Sequence, residues 1–513
     1  MNAKIPYEVQ FAPKYLGNYI GGEFHPAVEP NGEWDVKSPA ATHDLVARIK
    51  YSYQDVDSAI QSAKSAFKSW KKLPASERFV YLRKYRDALK ARENTIVETI
   101  SREVGKPLWE SKTEFQAMLN KVDITIEDSM KLIAPLRIDN VLPGVVGKSE
   151  YRPHGVMAVI GPFNFPGHLP NGHIVPALVT GNTVVFKPSE KTPMTGQLIA
   201  EAMHEAGLPS GVFNLVQGER ETSRRLCVHE GVNGILFTGS YEVGTRIKQD
   251  TLLQHWKLLA LEMGGKNSSI VWEDADLDSA VYEVLTSAFL TTGQRCSATS
   301  RAIVHESLME RFLEKLHAAS KAFKIGHPFE NAFMGPVIDS STVDRFLKFQ
   351  PIATRDGFEI LMRGKVLELP YAGHYVTPAI AFMHNADPAH ARKSVYQQTE
   401  LFAPNLAVQG VTDLDQAIAL ANITQYGLVT SVFTKSTEVY EKCSEDLECG
   451  LINLNRGTVG ASSRLPFGGL KKSGNHQPTA LSSVFYCAYP VASLECAPES
   501  PGLKAPLTGL DWK

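Results

Sequence analysis

At 513 residues the chain is too long for one ordinary core, so two or more large domains are expected, burying roughly three-quarters of the unfolded surface without disulfides or a metal. Apolar residues at 43% and charged residues at 21% lie near the globular average, which argues against a disordered, collagen-like or coiled-coil chain. Lys plus Arg number 53 and Asp plus Glu 55, a net charge of −2, so the basic surface that phosphate backbones demand is missing and no nucleic-acid partner is expected.

The first ten residues lack the apolar stretch of a secretory signal. The most apolar window, 173–186, is interrupted by Pro176, Thr180, Asn182 and Thr183 and falls short of the roughly eighteen apolar residues of a membrane span. Six cysteines form no CxxC or other zinc spacing, and the 15 histidines show no HExxH, so no metal is expected. These features fit a reduced cytoplasm, where a cysteine that matters is a nucleophile and not a staple.

In chain order, the region 56–99 reads as helical with mixed charge, and 135–147 reads as an excursion. From about residue 151 short apolar runs alternate with helical spacing. Strands are predicted at 156–160, 183–186, 212–216, 234–237 and 257–261, with helices at 194–207 and from 240 to about 249. Fully apolar strands in β-α-β-α alternation imply a parallel sheet covered on both faces, a doubly wound α/β domain. The pattern recurs: strands at 268–271 and 302–304 and helices over 274–291 and 306–323 predict a second α/β domain from about Gly264 to about Phe467. Residues 498–506 read as another excursion.

Open parallel sheets bind ligands beyond the carboxyl ends of their strands. Unusual sequences stand at those ends: Gly161-Pro-Phe-Asn164-Phe-Pro166, Lys187-Pro-Ser-Glu190, Gly239-Ser240-Tyr-Glu-Val-Gly244 and Glu262-Met-Gly264-Gly265-Lys266, with Gly293-Gln-Arg-Cys296 after a long helix. Singly, each has a bland reading. Cys296 is a small core residue, Glu262 a cap or ion-pair member, and Asn164 a turn residue. Lys187 and Glu190 are a solvated pair, and Gly239-Ser240 is a helix start without the GxGxxG spacing. Five such loops able to line one cleft are harder to dismiss.

These motifs, in this order, together with Glu400-Leu-Phe402 and Pro466-Phe467-Gly468-Gly469, resemble the aldehyde dehydrogenase superfamily from about Gly17 to about Pro490. Spacing agrees as well, with 23 positions from Asn164 to Lys187 and 34 from Glu262 to Cys296. The resemblance implies an NAD-binding domain over 15–125 and 153–262, a catalytic domain over 263–467, and a small β oligomerisation excursion from 126–152 and 484–513. Cys296 would be the nucleophile that attacks the aldehyde carbon. The Asn164 amide and the Cys296 N–H would hold the oxyanion. Glu262 would activate water to hydrolyse the thioester, a role that burial favours by raising its pKa. Lys187 and Glu190 would bind the adenosine ribose, where a carboxylate accepts from a 2′-OH and repels a 2′-phosphate, so NAD is expected over NADP. Gly239 and Ser240 would set a helix N-terminus against the pyrophosphate, and Gly244 would permit close helix–sheet packing. Glu400 would bind the nicotinamide ribose, with Phe402 near the ring or, on the bland reading, in the core. A homodimer or homotetramer is implied too.

Residues 164–173 and Ser473-Gly-Asn-His476-x-Pro478, followed by 486–493, resemble the branch that oxidises N-succinylglutamate 5-semialdehyde in arginine breakdown. That substrate carries two carboxylates, for which Arg456, Arg464 and His168 are candidate partners. The chain departs from the branch at Ser297-Ala298-Thr299, where Thr-Cys-Ala is common, and at Gln477, where arginine is common. The alternatives are oxidation of glutamate or succinate semialdehyde, a CoA-acylating relative that has no need of Glu262, and a catalytically silent NAD-binding protein of the same fold.

Overall fold

The structure, a computed structural model, describes residues 9–475, 477–496 and 508–510. His476, the stretch 498–506 and most of the end of the 484–513 segment lie outside the described residues. Five strands lie side by side and parallel in the order Leu258–Glu262, Gly234–Thr238, Val156–Ile160, Thr183–Lys187, Phe213–Leu215. Four of the five are buried along their whole length, as expected of strands covered on both faces. The chain steps from Val156–Ile160 to one side and later returns to the other, which opens a crevice beside that strand. Register aligns the carboxyl ends: Ile160 pairs with Lys187 and with Phe237, and Thr238 pairs with Glu262. The loops after these residues therefore leave one edge of the sheet.

A second sheet runs Glu359–Met362, Ala379–Met383, Asn405–Val411, Thr299–His305, Asn267–Val271, Val429–Phe433, Leu451–Leu454. Helices Leu277–Phe289 and Glu306–Lys321 pack on one face through Val284, Phe312 and Leu316. Helix Leu414–Asn422 covers the other through Ile418 and Leu420. Only residues 263–266 separate the strand Leu258–Glu262 of the first sheet from the interior strand Asn267–Val271 of the second. Both sheets thus deliver their ends to one place.

The sheets are not purely parallel. Asn18–Ile20 and Glu23–His25 add antiparallel strands to one edge of the first, and Glu359–Met362 does so in the second. The helix expected to reach residue 291 stops at Phe289, because Thr291 and Thr292 take left-handed backbone angles (φ 54° and 56°). Two helices escape the periodicity. His168–Val179 is almost wholly buried, so it has no polar stripe to alternate with an apolar one. Leu108–Glu127 turns Glu110, Ser111, Glu114 and Lys121 toward the interior, which erases its apolar stripe. Leu136–Leu142, Val145–Pro153 and Ala488–Cys496 form a separate antiparallel sheet with Leu136, Ile138 and Leu494 exposed. Among the described residues no helix is long and apolar enough to cross a membrane.

Candidate active site

Glu262 closes its strand with its carbonyl accepting from the Gly239 N–H at 3.0 Å. Its side chain is 1% exposed, and among the described residues its carboxyl meets no backbone or cationic partner, only the neighbouring Cys296 thiol. Burial pushes this carboxyl up to about 8; the neighbouring Cys296 thiol eases the shift and Glu400 adds to it. Cys296, a free cysteine, sits just before the strand Thr299–His305. Burial and the two carboxylates hold its thiol well above the ordinary range, with the Ser297 backbone opposing. The bare site therefore keeps both groups protonated near neutrality.

The Cys296 backbone is clamped from the second sheet. Asn267 Nδ2 donates to the carbonyls of Cys296 (2.7 Å) and Ala298 (2.9 Å), while Asn267 Oδ1 accepts from the Val429 N–H (3.2 Å). Gly265 passes so near the Cys296 carbonyl that a side chain there would overlap it. From the first sheet, Asn164 Nδ2 donates to the Gln294 carbonyl at 2.9 Å, which ties the buried amide to the loop that carries the thiol. Thr458 reaches in from beyond Leu451–Leu454, its hydroxyl donating to the Ser297 carbonyl at 2.6 Å. Cys296, Glu262 and Asn164 converge.

Glu400 is half-buried against Gly264, where a Cβ would overlap its carboxylate, and its Oε1 accepts from the Gly265 N–H at 2.9 Å. Burial pushes it up to about 7 against the pull of that N–H and of Lys266. Phe402, with φ at 56°, meets the ring of Phe163 edge-on at 5.8 Å, so the Glu400 loop closes on the Asn164 loop. Lys187 is 2% exposed and donates to the Gly218 carbonyl (2.9 Å), 4.0 Å from the half-exposed Glu190. Ser240 caps the helix Tyr241–Asp250, accepting from the Val243 N–H at 3.3 Å. A Cβ on Gly244 would come within 2.5 Å of Met263 Sδ, so this helix start lies directly on the residue after Glu262. A ten-residue helix opening onto the crevice, glycines where backbone must approach, and a buried lysine beside an accessible carboxylate fit a nicotinamide dinucleotide.

The three candidates for the substrate carboxylates differ in setting. His168 is half-buried, its Nδ1 lacks a partner among the described residues, and burial with Lys121 and Lys106 nearby pushes it down to about 4. Arg456 is exposed. Arg464 is exposed and pairs with Asp128, at the end of the helix Leu108–Glu127. Sequence reading missed Asn267, Thr458 and the buried charges around Arg295. The one available signal was the run Asn267-Ser-Ser269, three polar residues in a strand buried throughout. Among the described residues no group of three or more His, Cys, Asp or Glu is placed to hold a metal ion.

Residues 27–488 match the aldehyde dehydrogenase family. The chain belongs to this family. N-succinylglutamate 5-semialdehyde dehydrogenase of Chromobacterium violaceum is 40% identical over 500 residues, 95% of this chain and 98% of that one. A Caulobacter vibrioides protein named N-succinylglutamate 5-semialdehyde dehydrogenase 2 is 41% identical over 463 residues, 90% and 92% of the two chains. Among solved structures, 1-pyrroline-5-carboxylate dehydrogenase from Thermus with bound NAD superposes with a TM-score of 0.88 at 30% identity, covering 94% of this chain and 93% of that one. This aldehyde dehydrogenase is an oxidoreductase that works with a nicotinamide dinucleotide.

Proposed function

We propose that the enzyme oxidises N-succinylglutamate 5-semialdehyde to N-succinylglutamate with NAD, in arginine breakdown. The chemistry rests on one observation above all: a buried Glu262 carboxyl set against the Cys296 thiol. The Cys296 thiol gives up its proton to solvent as the sulfur attacks the aldehyde carbon. Asn164 Nδ2 and the Cys296 N–H stabilise the oxyanion that forms, and removal of one such donor typically costs about a hundredfold or more in rate. A nicotinamide dinucleotide held by Lys187, Glu190, Gly239, Ser240 and Glu400 would supply the hydride acceptor for the tetrahedral carbon. Cys296 is then left as a thioester. Glu262, once it has lost its proton, draws one from water so that hydroxide releases the carboxylate product.

Glu190 supports NAD over NADP, since its carboxylate accepts from a ribose 2′-OH and repels a phosphate there. The substrate assignment is supported by relatives of that name at about 40% identity over nearly the full chain. His168, at the start of the helix that follows the Asn164 loop, is the partner we favour for a substrate carboxylate. The domain limits given above, a homodimer or homotetramer joined through the exposed three-stranded sheet, and a cytoplasmic setting suited to six free cysteines belong to the same proposal. The test is a panel of semialdehydes with and without succinyl groups, each assayed with NAD and NADP. The expected result is a kcat/KM for the succinylated substrate with NAD at least about a hundredfold above the others. Preference for glutamate or succinate semialdehyde would overturn the substrate, and absence of any dinucleotide reduction would overturn the oxidation.

A further inference from the structure

Beneath the two catalytic loops lies a set of buried charges that the proposed chemistry does not use. Glu110 and Glu114 stand one turn apart on the buried face of the helix Leu108–Glu127, and their side chains are fully buried. Glu114 Oε2 pairs with Lys106 Nζ at 2.5 Å, and its Oε1 accepts from the N–H groups of Gly167 (2.9 Å) and His168 (3.0 Å). That turn directly follows Asn164-Phe-Pro. Glu110 Oε1 accepts from Arg295 Nη2 at 2.6 Å and from the Thr291 hydroxyl, and Oε2 accepts from the Thr291 N–H at 3.2 Å. Arg295 is the residue before Cys296. Its Nε also donates to Thr291 Oγ1 at 2.8 Å.

Two further features join the halves. The Phe165 ring, next to Asn164, lies 3.4 Å from Lys106 Nζ and 5.0 Å from the Arg295 guanidinium, so one aromatic face-pair links both cations. Thr291 and Thr292 are β-branched residues at φ 54° and 56°, a conformation that persists only where its surroundings over-determine it. Glu110 supplies that constraint through two of the Thr291 donors. Burial alone would raise the Glu110 carboxyl, yet Arg295 and Lys106 hold it below its ordinary range, so it remains an anion able to grip both partners.

We propose that Glu110 and Glu114 are positioning residues for the oxidation: Glu110 fixes the strained loop that presents Cys296, and Glu114 fixes the loop that presents Asn164. Neither carboxylate touches the reacting atoms. One rigid helix thereby sets the distance between nucleophile and oxyanion donor, where a misplacement of about 1 Å can cost a hundredfold in rate. The inference rests on the roles proposed above for Cys296 and Asn164.

The experiment compares wild type, Glu110→Gln and Glu110→Gln/Arg295→Gln in the full-length enzyme. It measures kcat, the KM of the aldehyde and of NAD, and the rate of Cys296 alkylation by iodoacetamide followed by mass. We expect Glu110→Gln to lower kcat and the alkylation rate about 10- to 100-fold with both KM values within about threefold. Because the ion pair acts as a unit, the double variant should fall no further than the single one. Where Glu110→Gln does not fold, Thr291→Val and Thr291→Ser decide: loss of the hydroxyl should slow alkylation at least about threefold, and serine should recover most of that loss. Unchanged alkylation in a folded Glu110→Gln, losses that multiply in the double variant, or serine falling as far as valine would overturn the positioning role. Failure of wild-type Cys296 to react, or dinucleotide reduction by Cys296→Ser, would instead remove the nucleophile assignment on which it rests.

Discussion

Cys296 lies between two buried charge clusters built on opposite plans. Below it, Lys106, Glu110, Glu114 and Arg295 close on one another, two cations to two anions, with each carboxylate also accepting from backbone N–H groups. Beside it, burial and Glu400 raise the Glu262 carboxyl, which has no backbone or cationic partner among the described residues. Lys266, the nearest cation of that second cluster, is itself pushed down to about 7 by burial and by Arg301. A buried charge costs several kcal/mol unless paired and hydrogen-bonded, so a satisfied cluster holds shape while an unsatisfied one keeps its protons to higher pH. The fold places the first where geometry must not move and the second where a proton must.

The strongest way to break this contrast is at the atom between the clusters. Cys296→Ser should abolish aldehyde oxidation, a loss of at least about a thousandfold, because the alcohol is a far weaker nucleophile with the same blocked ionisation. Dinucleotide affinity, measured by fluorescence titration, should stay within about twofold, since Lys187, Glu190 and Gly239 are untouched. Substantial turnover in this variant would show that the sulfur does not carry the acyl group.

Next in size is Glu262→Gln. Thioester formation consumes no water, so one equivalent of reduced dinucleotide per site should appear in a burst, and the steady state that follows should slow by about a hundredfold or more. A mass increase on Cys296 after one turnover reports the trapped acyl enzyme. The wild-type steady state should climb as pH rises through about 8, where Glu262 loses its proton, and that limb should be missing in Glu262→Gln. A burst-free trace with an unaltered pH profile would transfer the base role elsewhere.

Much of this arrangement was legible in the sequence because the parts that meet the crevice interrupt regular patterns. Asn164, Glu262 and Cys296 follow apolar strands or a long helix at positions where a turn residue, a charge or a lone thiol needs a reason, and the sheet register brings those ends together. The supporting shell left no such mark. Glu110 and Glu114 sit on a helix whose buried face is polar, so its hydrophobic period vanishes, and their partners are up to 185 residues away. Thr291 reads as the tail of a helix because nothing local reports that its backbone turns left-handed; the cause is a carboxylate from another part of the chain. Arg464, a candidate read from a substrate-side loop, stands exposed and paired with Asp128, a partner that nothing in its own loop reports.

The smallest expected effect sharpens the contrast most directly, because the two clusters should respond to pH with opposite sign. Glu262 has a folded-state pKa near 8 against an ordinary value of 4.5. The unfolded chain therefore releases this proton first, and stability is lost as pH rises from the ordinary value toward 8. Glutamine does not titrate, so Glu262→Gln should melt at the same temperature as wild type near about pH 5 and a few degrees higher near about pH 9, measured at one scan rate. Glu110 is shifted downward, and its contribution is present above its ordinary value and fades as pH falls through the lowered one. Glu110→Gln should accordingly melt below wild type at neutral pH, with the gap narrowing in acid. If both variants moved in the same direction at both pH values, the division into a gripping cluster and a proton-handling cluster would be wrong, because a carboxylate compensated by its neighbours and one left uncompensated cannot share a sign.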